Sequence, residues 1–205
     1  MIWAVFALPY EAKGFSLETA GVEVKILGCC GRRALGVFEG MFAAADMKPD
    51  KVLLLGLAGG LSPKLGVGDL VLQVGGFEES FFNPNLRRGR ILSCNRLVSS
   101  VGGKASLWNE HRADCVDLET NPLGGFCQSA GVRFAALKAI SDDFQTDLPV
   151  DPDLLVCPET LKPAPLRLLC YLCRNPRKFL GFLGMVHSAG IARQRLHEAA
   201  YTCLK

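Results

Sequence analysis

Little in this chain of 205 residues is extreme, and each thing it lacks removes a class of function. Its net charge is only +3 and it has no arginine-rich run, so it carries no electrostatic footprint for nucleic acid. It has no apolar stretch long enough to cross a bilayer. Met1–Leu8 and Phe179–Val186 are both short, and two glycines interrupt the second. Met1–Leu8 also lacks a basic flank, so no secretory leader is expected and the chain reads as soluble and cytoplasmic. The three histidines, His111, His187 and His197, show no metal-ligand spacing, and no metal or cofactor is expected. The last two read as part of a solvated helix face. Nine cysteines form an odd, scattered set, which suits reduced thiols rather than a disulfide framework. Cys170-x-x-Cys173 has no second pair and is expected to act as small buried apolar residues within a helix. No internal repeat or low-complexity segment is present.

What remains is an ordinary globular composition, 49% apolar and 21% charged, in one domain large enough to bury a core. The division expected is a catalytic α/β core over 1–148, then a connector and C-terminal helices over 149–205. The central stretch is VLLLGLAGGLSPKLGVGD, residues 52–69. Val52–Leu57 is apolar without alternation, as a strand covered on both faces must be. Ala58-Gly59-Gly60 then reads as a glycine turn at the strand end, where main-chain N–H groups can approach an anion or a sugar. Gly56-x-x-Gly59-Gly60 is not GxGxxG, and Ser62-Pro63 is a poor helix start, which argues against a dinucleotide.

Taken in order, Ile2–Leu8 reads as a buried strand stopped by Pro9, with Glu11 in the first turn of a helix. Val22–Leu27 is a second strand. A glycine turn at 28–31 follows, and Arg32 and Arg33 open a helix whose stripe is Leu35, Phe38, Phe42 and Ala45. Two arginines beside such a turn could receive a phosphate or could simply be solvated. Asp69–Val74 is a strand, and Gly75–Arg90 is an irregular loop whose phenylalanines could cover a ligand, form a dimer contact or make local core. Ile91–Cys94 is a short strand, and Lys104–Arg112 a helix anchored by Leu107 and Trp108. Cys115–Leu118 ends at Glu119, with Thr120 or Asn121 capping a helix that buries Leu123, Phe126, Cys127 and Ala130. Val132–Ile140 is the last strand and runs into Ser141-Asp142-Asp143. This alternation predicts a three-layer α/β/α fold with a mixed, largely parallel sheet. Pro149–Pro165 reads as a connector and 166–205 as helix, divided at Pro176. Residues 161–205 hold eight basic residues and one acid, Glu198. Such a basic, apolar tail suits either a solvated face or weak contact with an anionic membrane surface.

Three carboxylates share one context: Glu11, Glu119 and Asp142 each follow a buried strand, so a parallel-rich sheet could gather them at one edge beside Gly59-Gly60. That set suits a site which binds a polyhydroxyl ligand and moves protons. AlaGlyGlyLeuSerPro-x-Leu-x-Val-GlyAsp (58–69), ValAspLeuGlu (116–119) and AlaIleSerAsp (139–142) resemble segments of the nucleoside phosphorylase/nucleosidase superfamily. The branch is that of purine nucleoside phosphorylases and 5′-methylthioadenosine/S-adenosylhomocysteine nucleosidases, and AlaLeuProTyrGluAla (7–12) resembles its first strand and glutamate. The turn at 28–33 and the basic tail resemble hopanoid-associated phosphorylases in particular.

The resemblance implies cleavage of the N-glycosidic bond of an adenosine-type purine nucleoside. Asp142 would be the acid toward the base, and Glu119, beside Leu118, would hold the ribose. Glu11 would activate water, while Ala58, Gly59 and Gly60, with Arg32 and Arg33, would face water or phosphate. Leu97 and Val98 would lie near the purine. Phosphate is a candidate co-substrate and a homodimer the implied assembly. Asp117 stands where the family has a glutamate. Two alternatives are a non-catalytic nucleoside-binding protein of the same fold and an enzyme acting on a lipid-linked nucleoside such as an adenosylhopane-type substrate.

Overall fold

The computed structural model describes residues 1–155, 157 and 165–204. Seven strands form one mixed sheet: β1 (Ile2–Phe6), β2 (Val22–Ile26), β3 (Lys51–Gly60), β4 (Leu70–Gly75), β5 (Ile91–Ser93), β6 (Cys115–Asp117) and β7 (Arg133–Asp142). β1 lies parallel to both β2 and β3, β3 parallel to β7, and β5 parallel to β6. β4 runs antiparallel to β7, and β6 antiparallel to the end of β3. Around the sheet lie α1 (Pro9–Ala12), α2 (Gly31–Ala44), α3 (Val101–His111), α4 (Thr120–Ser129), α5 (Pro152–Leu155), α6 (Pro165–Arg174) and α7 (Phe179–Leu204).

The central strands are apolar on both faces over most of their length because both faces are covered, with Lys138 of β7 the buried exception. Trp3, Val5, Val52 and Leu54 pack with Phe38 of α2 and with Leu123 and Cys127 of α4. The residues between them, Ala4, Phe6, Leu53 and Leu55, pack on the opposite face with Ala192, Leu196 and Ala200 of α7. This period of two across a central sheet gives the three-layer α/β/α architecture. Leu35, Phe42 and Ala45 of the α2 stripe sit partly buried against the first cluster beside Phe38.

Several boundaries differ from the sequence reading. Ala58-Gly59-Gly60 is not a turn: β3 continues to Gly60, with a register shift between Ala58 and Gly59. Gly59 and Gly60 pair with Val116 and Cys115 of β6, so the glycines serve a strand junction. A Cβ at Gly60 would come within 3.2 Å of Ile140 and 3.3 Å of the Asp142 carbonyl, which explains the residue type. β7 likewise runs through Ser141 to Asp142. Ala130 is exposed as the C-cap of α4, beyond its buried face. The cap of that helix is Glu119, with the Asp117 carboxylate accepting from Thr120 N–H, so neither Thr120 nor Asn121 caps it and Pro122 is the third helical residue. The 77–82 phenylalanines form local core: Phe77 and Phe82 are buried in the cluster that includes α7. Part of the expected Pro149–Pro165 connector, residues 156 and 158–164, lies outside the described residues.

Candidate active site

The junction around β3 creates the site. β1 pairs with β3 only as far as Phe6 opposite Leu55, and β6 takes up the same edge only from Gly59. Between them the main chain at Gly56, Leu57 and Ala58 lacks a strand neighbour on that side, and an unpaired buried N–H there would be costly. Glu11 fills the gap. After Phe6, Pro9 opens α1 and Glu11 is its third residue, three beyond the N-cap Leu8, whose N–H donates to Glu11 Oε2 at 2.9 Å. Oε1 accepts from Leu57 N–H at 2.8 Å. Glu11 is buried, and burial holds its carboxyl above the ordinary value, partly offset by Lys138.

Lys138 stands opposite Gly56 in the β3–β7 ladder. Its side chain crosses Gly56, where a Cβ would meet Lys138 Nζ at 2.9 Å and Glu11 Oε1 at 2.8 Å. Glycine is therefore needed at 56 for room, not for backbone conformation. Lys138 Nζ forms an ion pair with Asp117 Oδ2 at 2.9 Å, both side chains sealed from solvent. The contact is off the hydrogen-bond direction, which leaves Nζ without a hydrogen-bond acceptor. Burial alone would lower the lysine's proton affinity. Asp117, Glu119 and Glu11 together outweigh it and hold the ammonium firmly charged.

Asp117 also accepts from Ser93 Oγ at 2.6 Å and from Thr120, so its oxygens are fully occupied. Glu119 is buried and accepts Gly31 N–H at 2.8 Å through Oε1. Burial pushes its carboxyl up to about 7, with Asp117 and Glu11 adding to the effect and Lys138 opposing it. A carboxylate poised there can accept ligand hydroxyls when ionised.

Asp142 closes the third side. Ser141 Oγ donates to its Oδ1 at 2.8 Å, and Lys104 Nζ lies 2.6 Å from its Oδ2. Oδ2 is buried with no hydrogen-bond donor, which leaves Oδ1 as the oxygen that can face a ligand. Lys104 is the buried residue of α3, in place of the expected Leu107 and Trp108, which are only partly buried.

These groups open on one cavity of about 420 Å³. Glu11, Glu119, Asp142, Leu118, Ala58, Gly59, Leu97 and Val98 all line it, so most of the residues singled out from the sequence do converge. Gly60 lies outside the lining, and so do Arg32 and Arg33, which are exposed. Their helix α2 turns only its first residue, Gly31, toward Glu119. Cys170 and Cys173 are exposed, not buried. His197 is not on a solvated face: its Nε2–H donates to the Glu11 carbonyl at 2.7 Å, tying α7 to α1.

Sequence reasoning missed Gly56, Lys104, Lys138 and the orienting hydroxyl of Ser141. A lysine inside FAALKAI was the available signal, since a buried strand rarely carries an unpaired charge. It also missed the apolar wall that Leu148, Leu155, Leu168, Met185 and Val186 add from the C-terminal helices and the chain before them. Cys30 lines the cavity too, but burial and Glu119 push its thiol up to about 12, so it is no nucleophile.

Residues 73–155 match the family model of the phosphorylase superfamily, a segment that holds Asp117, Glu119, Lys138 and Asp142. The fold as a whole resembles futalosine hydrolase of Helicobacter pylori, with 17% identity, a TM-score of 0.65, and 98% of this chain and 96% of that one covered. It resembles equally the 5′-methylthioadenosine/S-adenosyl homocysteine nucleosidase of the same organism, at 16% identity and a TM-score of 0.65, with the same 98% and 96% coverage. A Chlamydia trachomatis nucleosidase bound to adenine matches at 15% identity and a TM-score of 0.61 over 99% of this chain and 96% of that one. Two buried carboxylates and the partly buried Asp142 on one cavity, a segment over 73–155 that matches the phosphorylase superfamily model, and this fold are what the chain shares with those proteins.

Proposed function

We propose that this protein cleaves the N-glycosidic bond of an adenosine-type purine nucleoside by hydrolysis. The observation that carries the reading is the convergence of Glu11, Glu119 and Asp142 on one cavity from three distant parts of the chain. In the reaction, the C1′–N9 bond breaks and its electron pair leaves with the base. N7 takes a proton from Asp142, which makes the base a better leaving group. Glu119 accepts hydrogen bonds from the 2′- and 3′-hydroxyls, and its charge favours the cationic sugar. Water forms the new C1′–O bond and gives its proton to Glu11. Leu97 and Val98 pack against the base, and Leu118 against the ribose. Base release by the native protein, set against Asp142→Asn, tests the reading: equal rates at the uncatalysed background would remove it in favour of a nucleoside-binding protein, and equal rates above background would remove Asp142 as the acid.

Electrostatics favour water over phosphate as the nucleophile. Glu11, Asp117 and Glu119 surround the single ammonium of Lys138, and the exposed Arg32 and Arg33 stand outside the lining. A phosphate dianion would meet two or three carboxylates, with Lys138 already paired to Asp117; the other cation in the lining is Arg96, an exposed residue next in sequence to Leu97. The glycines at 59 and 60 are committed to strand pairing, which leaves no ready cradle for an anion.

A second reading, a lipid-linked nucleoside substrate, is favoured by the apolar wall of Leu148, Leu155, Leu168, Met185 and Val186. Beside it α6 and the start of α7 expose Leu166, Leu169, Phe179, Leu180 and Leu183, with Leu166 and Leu180 each 78% exposed. Arg167, Arg174, Arg177 and Lys178 are also exposed there. This surface suits weak contact with an anionic membrane. Among the described residues no helix is long and apolar enough to cross one. A cytoplasmic, homodimeric protein is the setting we propose, on the family resemblance.

A further inference from the structure

We propose that Lys104 is a positioning residue for the reaction proposed above: it fixes the Asp142 carboxylate and the loop behind it so that Oδ1 meets purine N7. The inference rests on that reading. A lysine with no exposure in the first turn of a helix is unusual, because a buried ammonium must find partners for its charge and for three N–H groups. Lys104 finds two carbonyl acceptors and a counter-charge on the far side of Asp142. Nζ lies 2.6 Å from Asp142 Oδ2 and donates to the carbonyls of Asp143 at 2.5 Å and Thr146 at 2.8 Å. The same loop is tied twice more to the entry of α3. Val101 N–H donates to Asp147 Oδ1 at 2.6 Å, and Leu148 N–H to the Ser99 carbonyl at 2.8 Å.

α3 thus joins two parts of the cavity. Leu97 and Val98, just before it, lie on the base side, and Leu148, just after the loop, lies on the apolar wall. Between them Lys104 holds Oδ2 and Ser141 orients Oδ1, so the carboxylate has one free direction. The ammonium also has a role in the step itself. When the proton passes from Asp142 to N7, the carboxylate left behind already faces a cation within 2.6 Å in a buried setting. That interaction is stronger after transfer than before, so once Asp142 has taken up a proton from solvent the cation drives that proton on toward N7. Lys104 touches neither base nor sugar, because Asp142 stands between.

The test uses a purine nucleoside methylated at N7, whose base departs without needing a proton there. Turnover is measured for the native protein, Lys104→Met and Lys104→Arg, on the adenosine-type nucleoside it cleaves and on an N7-methylated purine nucleoside. The expected result is that Lys104→Met lowers kcat on the first substrate by about 100-fold, the scale of an impaired general acid, with KM little changed. On the N7-methylated substrate it should leave kcat within about threefold, and Lys104→Arg should restore most of the loss on the first. Equal losses on both substrates would show a merely structural lysine and overturn the proposal, as would no loss on either. Thermal unfolding accompanies each variant. If Lys104→Met does not fold, Lys104→Gln, which keeps N–H donors without the charge, carries the same comparison. Should the native protein release no base from either substrate, the reaction reading fails first; a native protein that is active and equally sensitive on both substrates fails the lysine alone.

Discussion

Lys138 Nζ and Asp117 Oδ2 face each other at 2.9 Å with both side chains closed to water, and this pair is the electrostatic centre of the site. Removing the cation leaves Asp117 buried and uncompensated, together with two carboxyls that burial already disfavours as anions. Lys138→Met is therefore expected to cost about 3–5 kcal/mol of stability, read by urea unfolding, and to abolish base release. A Lys138→Met protein of unchanged stability would mean that the pair is not sealed as described.

Gly56 is the companion to that lysine. A methyl group there would lie 2.8 Å from Glu11 Oε1 and 2.9 Å from Lys138 Nζ, distances no carbon tolerates. Gly56→Ala is expected to displace both groups, lowering base release by at least about 100-fold with a loss of roughly 1–3 kcal/mol. Gly36→Ala, at an open position in α2 with nothing within 4 Å of the added carbon, is the control and should leave activity intact.

Glu119 supplies the pH dependence. Its proton is held more tightly in the folded chain, near 7, than in the unfolded one, near 4.5. Between those values the folded state binds more protons, so stability is fully present below about 4.5 and falls as pH rises through about 7. Activity should move the other way, because the ionised carboxylate accepts the ribose hydroxyls: kcat/KM rises through about 7. Glu119→Gln is expected to flatten both limbs and lower activity by about 100-fold or more. Urea unfolding and initial rates across that range check both.

The exposed leucines and arginines of α6 and α7 should bring the protein to anionic vesicles. Co-sedimentation with phosphatidylserine-containing vesicles, absent with phosphatidylcholine alone and weakened by salt, is the expected result. Leu166→Ser with Leu180→Ser should reduce it, because each leucine is 78% exposed and contributes little to folding. Oligomerisation of the native protein that those changes abolish would assign the surface to a second copy of the chain instead.

Much of this architecture is legible in the sequence because the central strands are apolar on both faces over most of their length and α2 carries a regular apolar stripe. Phe38 of α2 and Leu123 of α4 lie where their spacing puts them. Glu11, Glu119 and Asp142 were legible as strand-end carboxylates. The glycines at 58–60 misled because glycine serves equally a turn and a crowded strand junction, and only the β3–β6 pairing separates the two. Arg32 and Arg33 misled because proximity in sequence to a glycine turn says nothing about which side of the helix faces the cavity. Lys104 and Lys138 were hidden for another reason: their partners are 38 and 21 residues away, 104 to 142 and 117 to 138. Such pairings are set by sheet register and helix docking, which local patterns do not contain.

The most direct measurement of the central claim follows products by proton NMR, with an adenosine-type nucleoside and the native protein, with and without inorganic phosphate. Hydrolysis at the site of Glu11, Glu119 and Asp142 predicts free purine and free sugar in equal amounts at a rate phosphate does not change. Ribose 1-phosphate appearing only with phosphate would contradict the choice of water, and intact nucleoside beside a protein that binds it would contradict catalysis altogether.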